Sequence, residues 1–424
     1  MSATVNVAII GAGPYGLSLA AYLRASGIEF RIFGKPMSAW KFNMPPGMLL
    51  KSHPWSSSLY DPDSSYTLQR FSIERGIPYD DSKTPVPLEL FVSYGEAFQA
   101  RYAPHVEDKT LVSCEPTSSG IRASFDDGES LLARHLILAI GIHAFKYIPA
   151  PFEHLPAEVL SHSGDYGSLA SLSSKKVVII GAGSSAIDLA ALLNEAGASV
   201  TLVARAQQLE FHKNPTTPRS HLKRLAYPLV RPILYPGSGI GTGWFLKTCA
   251  DAPHLFRLLP EELRIRLVKT TLGPSSGPFM KERVVGRIPL RVGHHLESAV
   301  TTRRGVRLAV VGSAGKETLE ADHVIAATGF KVDLHKLSFL SPNVLAKLRL
   351  VDGAPALSAN YESSIPGLHF MGPASANSFG PVARFVFGAV HPARRLTRHL
   401  NRQVAVRSGA SRKQTRRFAA ARQQ

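Results

Sequence analysis

Three glycines are spaced so that a phosphate group can approach the backbone with no side chain in the way. They are Gly11, Gly13 and Gly16, within VNVAIIGAGPYGLSLAAYL at residues 5–23. The apolar run 6–10 reads as a short buried parallel strand, and the run from Pro14 to residue 24 reads as a helix. In such a strand–turn–helix unit the first glycine permits the tight turn. The second brings backbone N–H groups up to a pyrophosphate, and the third lets helix and strand pack closely. The positive helix end then faces the phosphates. One match of this kind is weak evidence, because glycine turns also join strands to helices where no ligand binds.

A second copy makes the signal specific. KVVIIGAGSSAIDLAALL, at residues 176–193, places Gly181, Gly183 and Ala186 over the first set without a gap. Gly27 and Gly197 end the two helices at the same offset, and Lys35 falls over Arg205. Arg205 follows the second strand of the second copy. An acid there would favour NAD, whereas an arginine can pair with the 2′-phosphate of NADP, so the second site is read as an NADPH site. Lys213 and Arg219 are candidate helpers, and His212 reads as a surface residue. The first copy departs from the usual pattern: Gly34 stands where an acid normally meets the ribose hydroxyls, and Glu29 is at the wrong end of the strand.

Between these landmarks, residues 35–63 are rich in Trp, Met, Pro and Ser. Such a stretch is either an irregular cover for the sheet or a wall around a flat aromatic cofactor. The second reading is favoured, with Trp40 and Trp55 packing and Lys51, Ser52 and His53 offering polar contacts. No metal site is expected, because His294-His295 and the other histidines lack clustered partners. Cys114 and Cys249 are the only cysteines and form no C-x-x-C, so both read as reduced structural thiols.

The elements that must position these residues also repeat. Turn-punctuated, β-prone segments follow each glycine unit, at 111–132 and 290–319. Each is followed by an apolar strand, HLILAIG at 135–141 and HVIAATG at 323–329. The fold class is therefore α/β with two Rossmann-like dinucleotide domains. A chain of 424 residues with 44% hydrophobic and 19% charged content can bury two cores. Its net charge of +18 is partly local, since residues 401–424 carry seven cations and no acid, as in a flexible tail. Two polyanionic cofactors together with an ordinary basic surface can explain the rest, and no nucleic-acid module accompanies the charge. No run is long and apolar enough to span a membrane and no leader precedes the first strand, so a cytoplasmic protein is expected. Residues 206–287 resist assignment to one element. They are expected to pack over the second domain, with helices in 253–272, and a substrate or homo-oligomer role is open.

With these motifs in place, the chain resembles the two-dinucleotide-domain flavoproteins, and among them the flavin-containing and N-hydroxylating monooxygenases. GAGPYGLSLA resembles their FAD fingerprint and GAGSSAIDLA their NADPH fingerprint. LSHSGDY at 160–166 is similar to their interdomain His-Ser-x-x-Tyr segment, although Glu158 and Val159 replace the preceding F-x-G of Baeyer–Villiger enzymes. Thr328, Gly329 and Phe330 resemble the A-T-G-[FY] strand end. Residues 367–388, including Gly372, resemble the segment that returns to the flavin, with Pro373 where disulfide reductases carry an acid.

The resemblance implies a glutathione-reductase-like arrangement: FAD domain at 1–170 and 323–400, NADPH domain inserted at 171–322, and a basic tail at 401–424. It implies a cytoplasmic NADPH monooxygenase acting through a flavin C4a-hydroperoxide on a small organic substrate with dioxygen. Urate hydroxylation and amine N-hydroxylation both fit, and a non-oxygenating NADPH reductase is the alternative. Lys51, Ser52, His53 and Asn377 are the catalytic candidates. Gly11, Gly13, Pro14, Gly16, Lys35, Trp40, Gly181, Gly183, Ala186, Arg205, Thr328, Gly329 and Gly372 are the expected cofactor contacts.

Overall fold

A computed structural model of the chain describes residues 3–81, 85–211, 234–273 and 275–403. The N-terminal apolar run forms the strand Ala3–Ile10, whose Val7, Ala8 and Ile9 are fully buried. Continuous apolar runs of this kind suit parallel strands covered on both faces. Accordingly it pairs in parallel with Phe30–Phe33 on one side and Ser130–Leu138 on the other. The first sheet runs in the order Val106–Glu107, Phe30–Phe33, Ala3–Ile10, Ser130–Leu138, Gly120–Phe125, Leu111–Thr117. Ser130–Leu138 is long enough to hold two neighbours along one edge. Gly120–Phe125 lies antiparallel beside residues 130–133, and Leu368–Phe370 lies parallel beside 136–138. The C-terminal part of the chain thus returns to the sheet that carries the first glycine turn.

A second, five-stranded parallel sheet has the order Leu290–Val292, Ser199–Ala204, Lys176–Ile180, His323–Ala326, Leu160–His162. Its pairing corrects the boundaries drawn from sequence, which put 160–162 and 323–326 with the first unit. The reason is the repeat itself: His323–Ala326 lies beside Lys176–Ile180 as Ser130–Leu138 lies beside Ala3–Ile10. The β-prone residues 290–319 also divide. Leu290–Val292 joins the parallel sheet, while His295–Thr302, Gly305–Gly312 and Gly315–Ala321 form a separate antiparallel sheet. Its Ala299, Val306, Leu308 and Val310 bury against Val178, Val203 and Val324 of the parallel sheet.

Among the described residues the insertion is mostly helical, and its helices do not lie over the second unit as the sequence suggested. Helices Trp244–Asp251, Pro253–Phe256 and Glu261–Thr270 place Cys249, Phe256 and Val268 against Ala376, Val382 and Ala383. It therefore packs on the C-terminal segment of the first unit. Arg264 donates to the carbonyl of Asn377 at 3.0 Å and Arg384 to that of Thr271 at 2.6 Å, so polar groups close the same seam. The insertion's two ends, Leu209 and Phe211 at the start and Phe279, Met280 and Val284 at the finish, pack in or against the second core. His212, Lys213, Arg219 and the basic tail beyond residue 403 lie outside the described residues. Among the described residues no helix is long and apolar enough to cross a membrane.

Buried histidines make the fold acid-sensitive. Burial pushes His369, which meets the ring of His135 at 3.2 Å, down to about 3, and pushes His391 down to about 4. Unfolded imidazoles take up protons below pH ~6.5. From there down to about pH 4 the unfolded chain binds more protons than the folded one, so stability falls as the pH falls. Unfolding midpoints measured across this range should drop steadily, and His369→Gln should flatten the slope. An unchanged slope in that variant would remove His369 from the explanation.

Candidate functional site

The first glycine turn forms where Ala3–Ile10 ends and the helix Pro14–Ala25 begins. Gly11 has φ +112°, and a Cβ there would meet the carbonyl oxygen of Ala139 at 2.3 Å. A Cβ on Gly16 would sit 1.8 Å from the Gly11 oxygen, so this glycine sets how closely the helix approaches the turn. Gly13 differs from both: nothing lies within 4 Å of the place its Cβ would occupy. It is also the N-cap, so no side chain caps the helix, and Pro14 follows in the first turn. An open space over an uncapped helix end suits a pyrophosphate. Gly34, also in the left-handed region at φ +117°, lies over this turn, where a Cβ would come 3.6 Å from the Ala12 nitrogen. Lys35 is exposed and only 4.0 Å from Asp108, a weak surface pair.

The C-terminal segment closes on the same turn through Tyr15. Its buried hydroxyl is 2.8 Å from the carbonyl of Ala383 and 2.9 Å from that of Phe385. Burial raises its pKa well above the ordinary phenol value, which keeps it a neutral donor. A Cβ on Gly372, at φ +74°, would stand 3.6 Å from the Tyr15 ring, and one on Gly388 would meet its hydroxyl at 2.6 Å. Tyr15 was part of the sequence motif, but its tie to residues 383–385 could not be read from the motif.

The second turn repeats the construction. Gly181 has φ +150° and its Cβ would meet the Ala327 oxygen at 2.2 Å; Gly183 caps the helix Ser184–Glu195, in which Ala186 is buried. Arg205 follows the strand Ser199–Ala204 and is exposed, with no hydrogen bond or ion pair to any described residue. An exposed, unengaged guanidinium at that strand end fits a 2′-phosphate. The two turns thus fit two dinucleotides.

Thr328 and Gly329 follow the last strand of the second sheet and are held by the linker. The Thr328 hydroxyl donates to the carbonyl of Tyr147, whose N–H donates to that of Gly329 at 3.0 Å. His162 completes the clamp: its Nε2 is 2.8 Å from the Gly329 oxygen and its Nδ1 accepts from the N–H of Gly164 at 3.0 Å. These partners assign the neutral Nε2–H tautomer, and burial lowers the His162 pKa in keeping with it. Here the histidine of the LSHSGDY segment is a structural clasp.

The polar loop is less uniform than its sequence suggested. Lys51 is engaged: Nζ lies 2.7 Å from Asp188 Oδ1 and 2.9 Å from the Leu49 oxygen. Asn377 donates from Nδ2 to the Val351 oxygen at 3.0 Å. Ser52 and His53 side chains make no hydrogen bond to described residues, although the His53 carbonyl accepts from both Ser56 and Ser57 hydroxyls. Trp40 is partly buried and packs edge-on against Phe91 at 4.6 Å, on the margin of the first core. Trp55 instead meets Phe387 at 5.7 Å, and Tyr60 approaches the same ring at 6.4 Å. Gly239 of the insertion is pressed against Phe387 as well. Three distant segments therefore share one aromatic centre. Both thiols are buried and unpaired; burial pushes Cys114 up to about 12 and Cys249 up to about 11, which leaves neither as a reactive thiolate.

The pyridine nucleotide-disulphide oxidoreductase family model matches residues 5–222, just over half of the chain, and spans both glycine turns. The chain belongs to this family. Within it, the sequence is 27% identical over 356 residues to an indole-3-pyruvate monooxygenase of Oryza sativa subsp. japonica, covering 76% of each chain. It is also 26% identical over 212 residues to a ferredoxin–NADP reductase of Thermus thermophilus, covering 49% of this chain and 55% of that one. In fold it is similar to an ornithine N-hydroxylase of Kutzneria sp. 744 solved with reduced FAD, NADP+ and L-ornithine. The TM-score is 0.75 at 16% identity, over 94% of this chain and 99% of the other. An ornithine hydroxylase of Pseudomonas aeruginosa gives 0.70 at 19% identity, over 95% and 100%. The chain is thus an α/β oxidoreductase whose relatives in sequence and fold include flavin-dependent monooxygenases.

Proposed function

We propose that the protein is a FAD- and NADPH-dependent monooxygenase acting on a small organic substrate with dioxygen. The observation that carries this reading is the pair of glycine turns at helix ends with no side-chain cap, the first open at Gly13 and closed upon by the C-terminal segment, the second flanked by an unengaged arginine. Bound FAD supplies hydride acceptance from NADPH and oxygen transfer to the substrate.

The chain's own residues do the rest. Backbone N–H groups around Gly13 bind the FAD pyrophosphate, those after Gly183 bind that of NADPH, and Arg205 pairs with its 2′-phosphate. His162, Thr328 and Gly329 hold the strand end between the two nucleotides. The clustered rings of Trp55, Tyr60 and Phe387, with Trp55 44% exposed, form a wall that bound substrate would complete to exclude water, a condition for oxygen transfer without loss as hydrogen peroxide. Ser52 and His53 supply polar contacts to the substrate.

Two features weigh on the substrate. An aromatic wall favours a flat or apolar molecule. Asp61 and Asp188, the buried carboxylates among the described residues, are already engaged, the first by backbone N–H groups and the second by Lys51. An amine substrate would therefore be taken neutral at its reacting nitrogen. The buried, unpaired thiols count against a dithiol relay and so against the disulfide-reducing form of the reductase alternative. The test is a screen of indole-3-pyruvate, ornithine, lysine, urate and simple amines and sulfides for stimulation of NADPH oxidation. One of them should raise the rate well above the uncoupled background. No stimulation by any compound, together with rapid reduction of an artificial acceptor under nitrogen, would favour the reductase.

A further inference from the structure

The ion pair between Lys51 and Asp188 joins parts of the chain that the two glycine turns organise separately. Lys51 belongs to the loop after the first unit's opening βαβ. Asp188 sits in the helix Ser184–Glu195, which begins at the second glycine turn. The atoms are 2.7 Å apart, and the side chains are only 18% and 5% exposed. A surface pair would contribute little. A buried pair must offset the desolvation of both ions, and its best-attested service is to specify one arrangement over others. Burial does act against both charges, lowering the Lys51 pKa and raising that of Asp188, while their mutual attraction opposes each shift.

Both ends of the contact are anchored. On the first side, the Leu50 N–H donates to Val86 at 2.8 Å and the Leu88 N–H to Met48 at 2.9 Å, which fastens the loop to the chain leading into the helix Leu88–Tyr102. Gly47 is tied to Glu89 at 3.0 Å and leaves room for Leu192 of the opposite helix; a Cβ there would come within 3.3 Å of it. On the second side, Asp188 is one turn into a helix whose Ser184 hydroxyl donates to Ser275 at 2.6 Å. Lys51 also stands 5.1 Å from the Phe279 ring, which belongs to the part of the insertion that enters the second core. Moving this helix moves the second glycine turn with it.

We propose that Lys51 and Asp188 are positioning residues: their pair fixes how the two nucleotide turns face each other and so sets the approach of the nicotinamide to the flavin. This rests on the function proposed above. Hydride transfer requires reacting atoms within about 3–3.5 Å, and a displacement of about 1 Å can cost a hundredfold. A contact anchored on both units and too short to slide is the kind of device that holds such a distance.

The test uses flavin-loaded protein in two measurements, anaerobic reduction by saturating NADPH and the thermal unfolding midpoint. Lys51→Met and Asp188→Asn each leave one partner buried without its complement. Each should lower the midpoint by roughly 4–10 °C. Each should also slow reduction by about ten- to a hundredfold, with FAD content unchanged. The double variant K51M/D188L removes both charges, so its midpoint should return to within a few degrees of wild type while its reduction stays slow. That split identifies positioning. If reduction recovers together with the midpoint, the pair is only structural and the proposal falls. Equal rates in Asp188→Asn and wild type overturn it as well. Failure of NADPH to reduce even the wild-type flavin would overturn the proposed function, and the positioning role with it.

Discussion

Gly13→Val should give soluble, folded, nearly colourless protein, while Gly16→Val should give little folded protein at all. The two glycines belong to one motif but answer to different physics. Gly13 has φ −89° and ψ −171°, extended backbone that any residue adopts, and its Cβ would touch nothing. The polypeptide alone has no reason to reject valine there. The open space is the space a pyrophosphate would fill, and blocking it would remove several charge-assisted hydrogen bonds from backbone donors, each worth about 1.5–3 kcal/mol. FAD content after purification should fall by at least about tenfold, with a folded circular-dichroism spectrum. At Gly16 the obstacle is the backbone oxygen of Gly11 at 1.8 Å, which cannot rotate away as a side chain could. Full FAD occupancy in Gly13→Val would sink the assignment of the first turn.

Arg205→Ala tests the second turn and should act on one nucleotide alone. The side chain is exposed and makes no hydrogen bond or ion pair to the described residues, so its removal should leave the unfolding midpoint unchanged. Its loss should cost a charge-assisted contact of about 1.5–3 kcal/mol with the 2′-phosphate, raising the KM for NADPH roughly ten- to a hundredfold. The KM for NADH, which has no such phosphate, should hardly move. Equal weakening of both nucleotides would show that Arg205 does not discriminate between them.

Both of those residues could be found in the sequence because their roles are local. A glycine turn is dictated by the backbone between one strand and the helix that follows, so G-x-G-x-x-G carries it in six residues. Arg205 is located by counting from the second turn. The repeat was legible for the same reason, and it set HVIAATG opposite HLILAIG. Applied consistently, that correspondence puts 323–326 in the second sheet, where the hydrogen bonds place it; the boundary at 322 ignored it.

What could not be read depends on partners far along the chain. Asp188 is conspicuous as the one charge within AIDLAALL, yet nothing local names Lys51, 137 positions earlier, as its partner. The insertion was expected to pack over the second unit, but several apolar surfaces were available to receive it. Its docking on residues 376–383 follows from how the whole C-terminal segment folds back. The shared ring of Phe387 has the same origin, since Trp55, Tyr60 and Gly239 reach it from separate stretches. His162 was noticed as part of a motif, but its hold on the Gly329 carbonyl is a tertiary fact.

The most direct measurement of the central claim is turnover under isotopically labelled dioxygen, with product mass and NADPH consumption followed together. A monooxygenase places one labelled oxygen atom in each product molecule and consumes one NADPH for it. Product that carries no label, or NADPH oxidation that yields only hydrogen peroxide with every substrate offered, would contradict the account.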